Sequence, residues 1–378
     1  MHRRPGAARD SLSHCTPSIS PRTRCARRTL EIENGPAPQA WTVARDGKSL
    51  LAAFPSGSIT QVLEIPRRGH SAGRMLFTVT SPVWYLEAGG GRSLFVNTVE
   101  RPKEVLRLPA TSIVPERIAT FPVEGGDQVL LLPDGRAVVV TSAGGRARLM
   151  AVEKGRDPIP LVNTQEPTGP PMTLAGPRQI AFMIGPEPHL TIAIADTTTG
   201  RITGRIVPGK GVIRALSASA DGGTIYFCAG NSVWSISPSG GEARAVSPAA
   251  YAVVDRSDHA LIVVRGESSH IRMFHVPLDD GVEREIPLDR SIPVYGEHAG
   301  TFSSGSLDAR GRLLVSLSPL DSWFNALGIL DTENGRIARI PVDVVSDHHS
   351  GVWEPDGSVL FTEIRMRALV WRFLPADQ

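Results

Sequence analysis

The chain has 378 residues, with 40 Lys and Arg against 38 Asp and Glu, for a formal net charge of +2. That balance gives no bulk electrostatic case for nucleic acid or an anionic membrane surface, and no apolar run approaches the roughly 18 residues that cross a bilayer as a helix. The 31 prolines and 37 glycines would interrupt long helices, and three cysteines without C-x-x-C spacing argue against both a disulfide framework and a zinc site.

Residues 1–28 hold seven Arg, one acid (Asp10) and several Ser and Pro. They lack the continuous apolar stretch of a secretory signal and read as a disordered basic leader. From Thr29 onward a turn recurs. Asp46-Gly47, Asp134-Gly135, Asp221-Gly222 and Asp356-Gly357 each sit between two short apolar runs, and weaker versions fall at Gly90-Gly91, Gly176-Pro177, Asp258-His259 and Arg310-Gly311. Successive anchors lie 37 to 52 residues apart. A period near 44 with strands on both sides of a tight turn marks a radially repeated sheet. Asp-Gly is a hairpin signal because both central positions of a type I′ turn need positive φ.

The units read as four strands each. In the third, Ala137–Thr141 and Arg148–Val152 flank Ala143-Gly144-Gly145-Arg146. In the fifth, Thr224–Cys228, Val233–Ser237 and Ala243–Val246 are separated by Gly230-Asn231 and by Ser239-Gly240-Gly241-Glu242. These β-branched and aromatic runs are bounded by Gly, Asn, Asp and Pro. The last unit offers three strands, at 352–354, 359–362 and 369–373, and Thr29–Ile32 is expected to supply its missing outer strand. The expectation is therefore an all-β propeller of four-stranded antiparallel blades over residues 29–378, with eight blades by anchor count and seven as the alternative. Cys228 is expected to be a buried small hydrophobe. Trp234 and Trp371, each after a Val in a third strand, are expected to pack between blades.

Two local motifs lack the context that their chemistry needs. Gly69-His70-Ser71-Ala72-Gly73 matches G-x-S-x-G, but Arg74–Val79 reads as a strand where a nucleophile elbow requires a helix. Gly47-Lys48-Ser49 resembles the end of a phosphate-binding loop without its earlier glycine. Topology points to a different cluster. Connections of an antiparallel meander alternate between two faces. Tyr295, Glu297 and His298 enter the seventh unit, Asp347, His348 and His349 enter the eighth, and Asp321, Ser322, Trp323 and Phe324 join strands within the seventh. Arg365 and Arg367 sit in the eighth unit's equivalent connection. All of these belong to one face, over adjacent blades. Glu297, His298, Asp321, Trp323, Asp347, His348, His349 and Arg365 are the candidate ligand-binding residues; His and carboxylates beside aromatics suit a metal, a small polar ligand or a peptide.

The pattern from Asp221 to Glu242, D-G-x-x-I-x-F followed by V-W-x-I and S-G-G-E, resembles the WD-like repeats of the Tol-system propeller and its relatives. The last third, from Gly311-Arg312-Leu313-Leu314-Val315 through Ser318–Phe324 and Trp353–Ser358 to Leu369–Phe373, resembles the C-terminal propeller of acidobacterial-type serine/threonine protein kinases. That resemblance implies a sensing or scaffolding propeller without chemistry of its own, with a Ser/Thr kinase domain as partner in cis or in trans. This chain departs from the pattern in having no kinase motifs. The expected function is thus a non-catalytic module binding a protein or small ligand in bacterial signalling, with no cofactor, no nucleic acid and no membrane span, and cytoplasmic as written or extracytoplasmic if the chain is a fragment of a membrane kinase. The alternative is a propeller enzyme, a metal-dependent lactonase or lyase with its site over the central channel.

Overall fold

A computed structural model describes residues 37–374 apart from 57–58, 68–72, 91–92, 122–125, 143–145, 187–188, 256–258, 267–270, 280, 290, 292 and 295–301. The leader, Thr29–Ile32, Cys15, Cys25 and most of the G-x-S-x-G segment lie outside the described residues. The described residues form strands and no α-helix. Among the described residues eight sheets occur, the number of turn anchors, and their meanders are antiparallel, as in the pairs Thr168–Leu174 with Gln179–Ile184 and Val359–Ile364 with Lys103–Leu108.

The recurrent turn forms as the sequence directs, with one difference. At each of the four Asp-Gly sites only the glycine has positive φ, from 69° at Gly47 to 87° at Gly135. Its N–H donates to a carbonyl three residues back, as from Gly135 to Leu132 at 2.9 Å. The preceding Asp carboxylate accepts the N–H two residues on, at 2.8 Å for Asp221 and Gly223 and 2.9 Å for Asp356 and Ser358. These are longer turns ending in a left-handed glycine rather than two-residue type I′ turns. The Asp side chain supplies the local bond that fixes the turn.

The chain divides into two units, one running to Glu100 and resuming at Ala368, the other Arg101–Arg367. In the first, the four strands Ala40–Val43, Ser49–Ser56, Ile59–Pro66 and Arg74–Val79 form one meander, and Arg367–Phe373, Leu94–Glu100 and Val83–Ala88 form a three-stranded sheet. The two sheets share a core of Leu51, Ala53, Val62, Val83, Leu86 and Val96, and Phe77 stacks on Phe373 at 4.0 Å.

The second unit is a closed ring of six sheets. Four full meanders lie between Val129 and Ile286, and a fifth sheet comprises Arg312–Leu317, Ala326–Asp331 and Ile337–Arg339. The sixth is assembled from both ends of the unit: Asp347–Trp353 and Val359–Ile364 pair with Lys103–Leu108 and Glu116–Phe121. Six apolar clusters each join one sheet to the next, and the last returns to the first. Leu314 and Leu327 of the fifth sheet pack on Leu106, Trp353 and Phe361 of the sixth. Val105, Val352 and Leu360 pack in turn on Val129 and Val139.

Two strand-pairing expectations are corrected here. Among the described residues the ring of the second unit closes on six sheets, and two further sheets belong to the first unit. The outer strands of the closing blade come from Lys103–Leu108 and Glu116–Phe121. The strand at 369–373 pairs with Leu94–Glu100 instead of extending the last blade. A local alternation of apolar run and turn reports that a strand exists and leaves its partner open. Trp234 is part-buried against its blade core, as expected. Trp371 is 51% exposed and donates to Thr98 Oγ1 at 3.0 Å. Cys228 is buried in its strand, and burial pushes its thiol up to about 12, the state of an inert apolar side chain.

The closing blade predicts its own sensitivity. Leu106 is 2% exposed in the cluster that joins fifth and sixth sheets. Leu106→Ala is expected to lower unfolding free energy by about 2–5 kcal/mol, read from urea denaturation; a change below about 0.5 kcal/mol would mean the closure carries little of the stability.

Candidate functional site

Two connections meet beside the closing blade. One, residues 318–325, joins Arg312–Leu317 to Ala326–Asp331; the other, residues 340–346, leads from Ile337–Arg339 into Asp347–Trp353. Backbone and side chain tie them together. The Asn325 N–H donates to Asp347 Oδ1 at 2.9 Å, and the His348 N–H donates to the Asn325 carbonyl at 3.1 Å. Within the first connection the Phe324 N–H donates to Ser322 Oγ at 3.0 Å. A cavity of about 80 Å³ lies between them, with Ser322, Phe324, Asn325, Arg339, Ser346 and His348 in its wall alongside aliphatic side chains. A wider recess of about 350 Å³ is bounded by Ile113, Arg339, Pro341, Val342 and Asp343. Arg339 and Val342 belong to both, and the Asp343 N–H holds the Ile113 carbonyl at 2.8 Å.

His348 and His349 are expected from sequence on a loop, and the structure places both in the strand Asp347–Trp353, 4% and 2% exposed. Adjacent strand residues face opposite sides, so the two rings serve different neighbours. His348 meets Phe361 edge-on at 5.3 Å, and its Nε2 lies 3.2 Å from Ser346 Oγ. Its pKa is pushed down to about 4, chiefly by burial and then by His349, with Asp347 opposing. It is therefore neutral at pH 7. His349 places Nδ1 3.8 Å from Asp127 Oδ2 on the other side.

Arg365 is committed to the fold. Its Nε donates to Glu363 Oε1 at 2.6 Å, and its other end lies 3.5 Å from Glu104 Oε2. Arg117 Nε also donates to Glu104 Oε2, at 3.0 Å. Glu104 and Glu363 are register partners and are 5% and 0% exposed. Two guanidiniums thus neutralise two buried carboxylates across the closing seam, and the Glu363 hydrogen bond holds Arg365 firmly protonated. Lys103, 0% exposed, donates to the Gly126 carbonyl.

Asp321 is exposed, and Trp323 is 100% exposed, with Leu320 at 90% in the same connection; Val345, which lines the smaller cavity, is 82% exposed. Glu297, His298 and Tyr295 lie outside the described residues; the bridges Val294 to Leu317 and Leu307 to Leu313 show only that the residues flanking them run beside the fifth sheet's first strand. Of the predicted set, the structure brings Asp347 and His348 together with the Trp323 connection, and assigns Arg365 and His349 to the closing blade. Among the described residues no three His, Cys, Asp or Glu side chains gather as a metal-holding group. Sequence reasoning missed Arg339, Ser346, Glu104 and Glu363. Glu104 and Glu363 were visible only as charges inside otherwise apolar runs.

No family model matches the sequence, and no curated protein matches it. Among solved structures, the fold is similar to a putative TolB from Agrobacterium tumefaciens, with a TM-score of 0.53 and 10% identity over 70% of this chain and 99% of that one. It also resembles TolB from Acinetobacter baumannii, at a TM-score of 0.43 and 13% identity over 84% of this chain and 81% of that one. A chain of a nidogen/laminin complex matches at 0.42 and 10% identity, over 67% and 82%. The ring of antiparallel blades defines a β-propeller. Its fold is TolB-like, a statement about architecture, since function on a propeller is set by its loops. No helix is long and apolar enough to cross a membrane among the described residues.

The buried histidine gives a pH dependence with a defined sign. Unfolded, His348 takes a proton near pH 6.5, whereas folded it resists protonation down to about pH 4. The unfolded chain binds more protons in that window, so the contribution is full above pH 6.5 and falls as pH drops toward 4. It amounts to at most about 3 kcal/mol. Urea unfolding at pH 7.0 and 4.5 should show a larger acid loss for the wild-type protein than for His348→Gln. Equal losses would mean that His348 titrates alike in both states.

Proposed function

We propose that this protein is a non-catalytic interaction module whose ring presents a docking surface for another protein. The observation that carries the reading is the wholly exposed Trp323, flanked by Leu320 and set on a connection whose neighbours are bonded to the start of the closing blade. Large aromatic side chains are enriched among the anchors of protein interfaces, because covering them removes much apolar surface from water. The buried ionisable groups nearby are paired for structure, as with Arg365 and Glu363. This arrangement favours binding over turnover, and over the alternative of a metal-dependent lactonase or lyase.

The similarity of residues 311–373 to kinase-borne propellers supports a signalling setting, with a Ser/Thr kinase domain as partner in cis or in trans. Small-ligand sensing is a narrower form of the same reading, for which the wider recess beside Arg339 provides room.

The test is affinity capture from the native cell extract with the full chain and with a Leu320→Ala/Trp323→Ala variant, followed by titration of whatever is retained. A saturable partner whose affinity drops about 30-fold on the variant is expected, the size of a hot-spot loss. A partner set indifferent to the substitutions, or turnover of a lactone with stoichiometric metal, would overturn the reading.

A further inference from the structure

We propose that the three-stranded sheet of the first unit pairs, by its outward face, with the same face of a second copy of this chain, giving a two-fold dimer. The sheet runs Arg367–Phe373, Leu94–Glu100, Val83–Ala88 from edge to edge. One of its faces is filled. Val83, Leu86, Leu94 and Val96 belong to the core shared with the four-stranded meander, and Phe373 stacks on Phe77 there. Successive strand residues point to opposite sides, so Tyr85, Glu87, Phe95, Asn97, Val370 and Arg372 stand on the other face. The Arg372 guanidinium lies 5.9 Å from the centre of the Phe95 ring, which puts the two on one side.

That second face is open. Tyr85 is 70% and Val370 69% exposed, Glu87 and Arg372 are exposed, and Phe95 and Asn97 are half-buried. In the second unit, by contrast, an apolar cluster fills the gap between each sheet and the next. A sheet face left to water is normally polar, whereas this one sets Tyr85, Phe95 and Val370 between two opposite charges. Tyr and Phe are enriched where proteins meet.

The occupant follows from the order of side chains across the strands. Glu87 is the register partner of Phe95, and Tyr85 of Asn97. With Arg372 over Phe95, one row reads Glu87, Phe95, Arg372 from edge to edge. The row two residues along each strand reads Tyr85, Asn97, Val370. A two-fold axis between two copies, parallel to the strands, sets central strand over central strand and each edge strand over the opposite edge strand of the copy. Glu87 then meets Arg372 at one edge and Arg372 meets Glu87 at the other, with Phe95 on Phe95 between them. In the second row Tyr85 covers Val370 twice, and the two Asn97 amides, each both donor and acceptor, face one another. An axis across the strands would instead set the charges on Tyr85 and Val370. An isologous contact needs each residue to complement the one its symmetry mate presents, and this face does so in both rows. Three strands make a small face, so the pairing is a weak one, of micromolar strength.

Sedimentation velocity of the full chain in physiological salt, over about 1 to 200 μM, tests this across the range of a weak dimer. The 40.5 kDa species should convert to one of twice that mass as concentration rises. Glu87→Arg and Arg372→Glu should each weaken association at least about tenfold, because each sets like charges opposite one another. An equimolar mixture of the two variants should regain it, since one copy of each restores both charge pairs. Unaltered thermal unfolding of each variant separates loss of contact from loss of fold, and recovery in the mixture does so independently. Trp323→Ala, in the other unit, should leave association unchanged, so this proposal and the docking role of Trp323 fail separately. A chain that stays monomeric to the highest concentration overturns the proposal. So does a dimer indifferent to both charge substitutions, a mixture that fails to recover, or a dimer lost on Trp323→Ala.

Discussion

The second unit depends on one strand pairing, that of Val359–Ile364 with Lys103–Leu108. Six consecutive register pairs join these strands, from Val359 opposite Leu108 to Ile364 opposite Lys103. The Arg107 and Glu354 side chains that bond beside them are 247 residues apart in the chain. Joining them carries a loop-closure cost that grows only slowly with length. In return, the first and last blades gain partners at what would otherwise be open edges. Without that pairing the clusters around Leu314, Trp353 and Phe361 and around Val105 and Val139 would each lose one wall.

The seam is also where the fold buries charge. Glu104 faces Glu363 in register, with Arg117 and Arg365 closing on the carboxylates from the blade edge. Buried ion pairs contribute little net stability, since desolvation offsets attraction. A one-residue slip would turn the alternating apolar residues to the wrong side. The apolar alternation therefore selects the register, and Arg117 and Arg365 neutralise the two carboxylates that this register sets opposite each other.

The candidate site exists because this seam fixes the start of Asp347–Trp353. With that strand anchored, Asp347 and His348 hold the Asn325 backbone, and the connection bearing Trp323 is held in place while its aromatic ring remains in water. Ser350, with a φ of 24° at the bulge between His349 and Gly351, accepts the Val129 N–H at 3.3 Å. That bond links the same strand to the next blade.

The sequence by itself determined what is local. The Asp-Gly turns, with glycine at positive φ and aspartate accepting its neighbour's N–H, are written in adjacent residues. So are the strands around them, and Cys228 as a buried thiol. The sequence also brought Trp323, Asp347 and His348 to one end of adjacent blades, because antiparallel alternation follows from counting strands. Tertiary structure decided which edges pair, since an edge strand's hydrogen-bonding groups accept any partner whose pleat matches. That choice closed the second unit's ring with Lys103–Leu108 and sent Trp371 to another sheet, although its local pattern matches that of Trp234. It also turned two histidines that read as loop ligands into buried strand residues. The meeting of Arg339 with Phe324 and His348 was out of reach of the sequence, because burial and convergence come from packing between elements and carry no signal at fixed spacing.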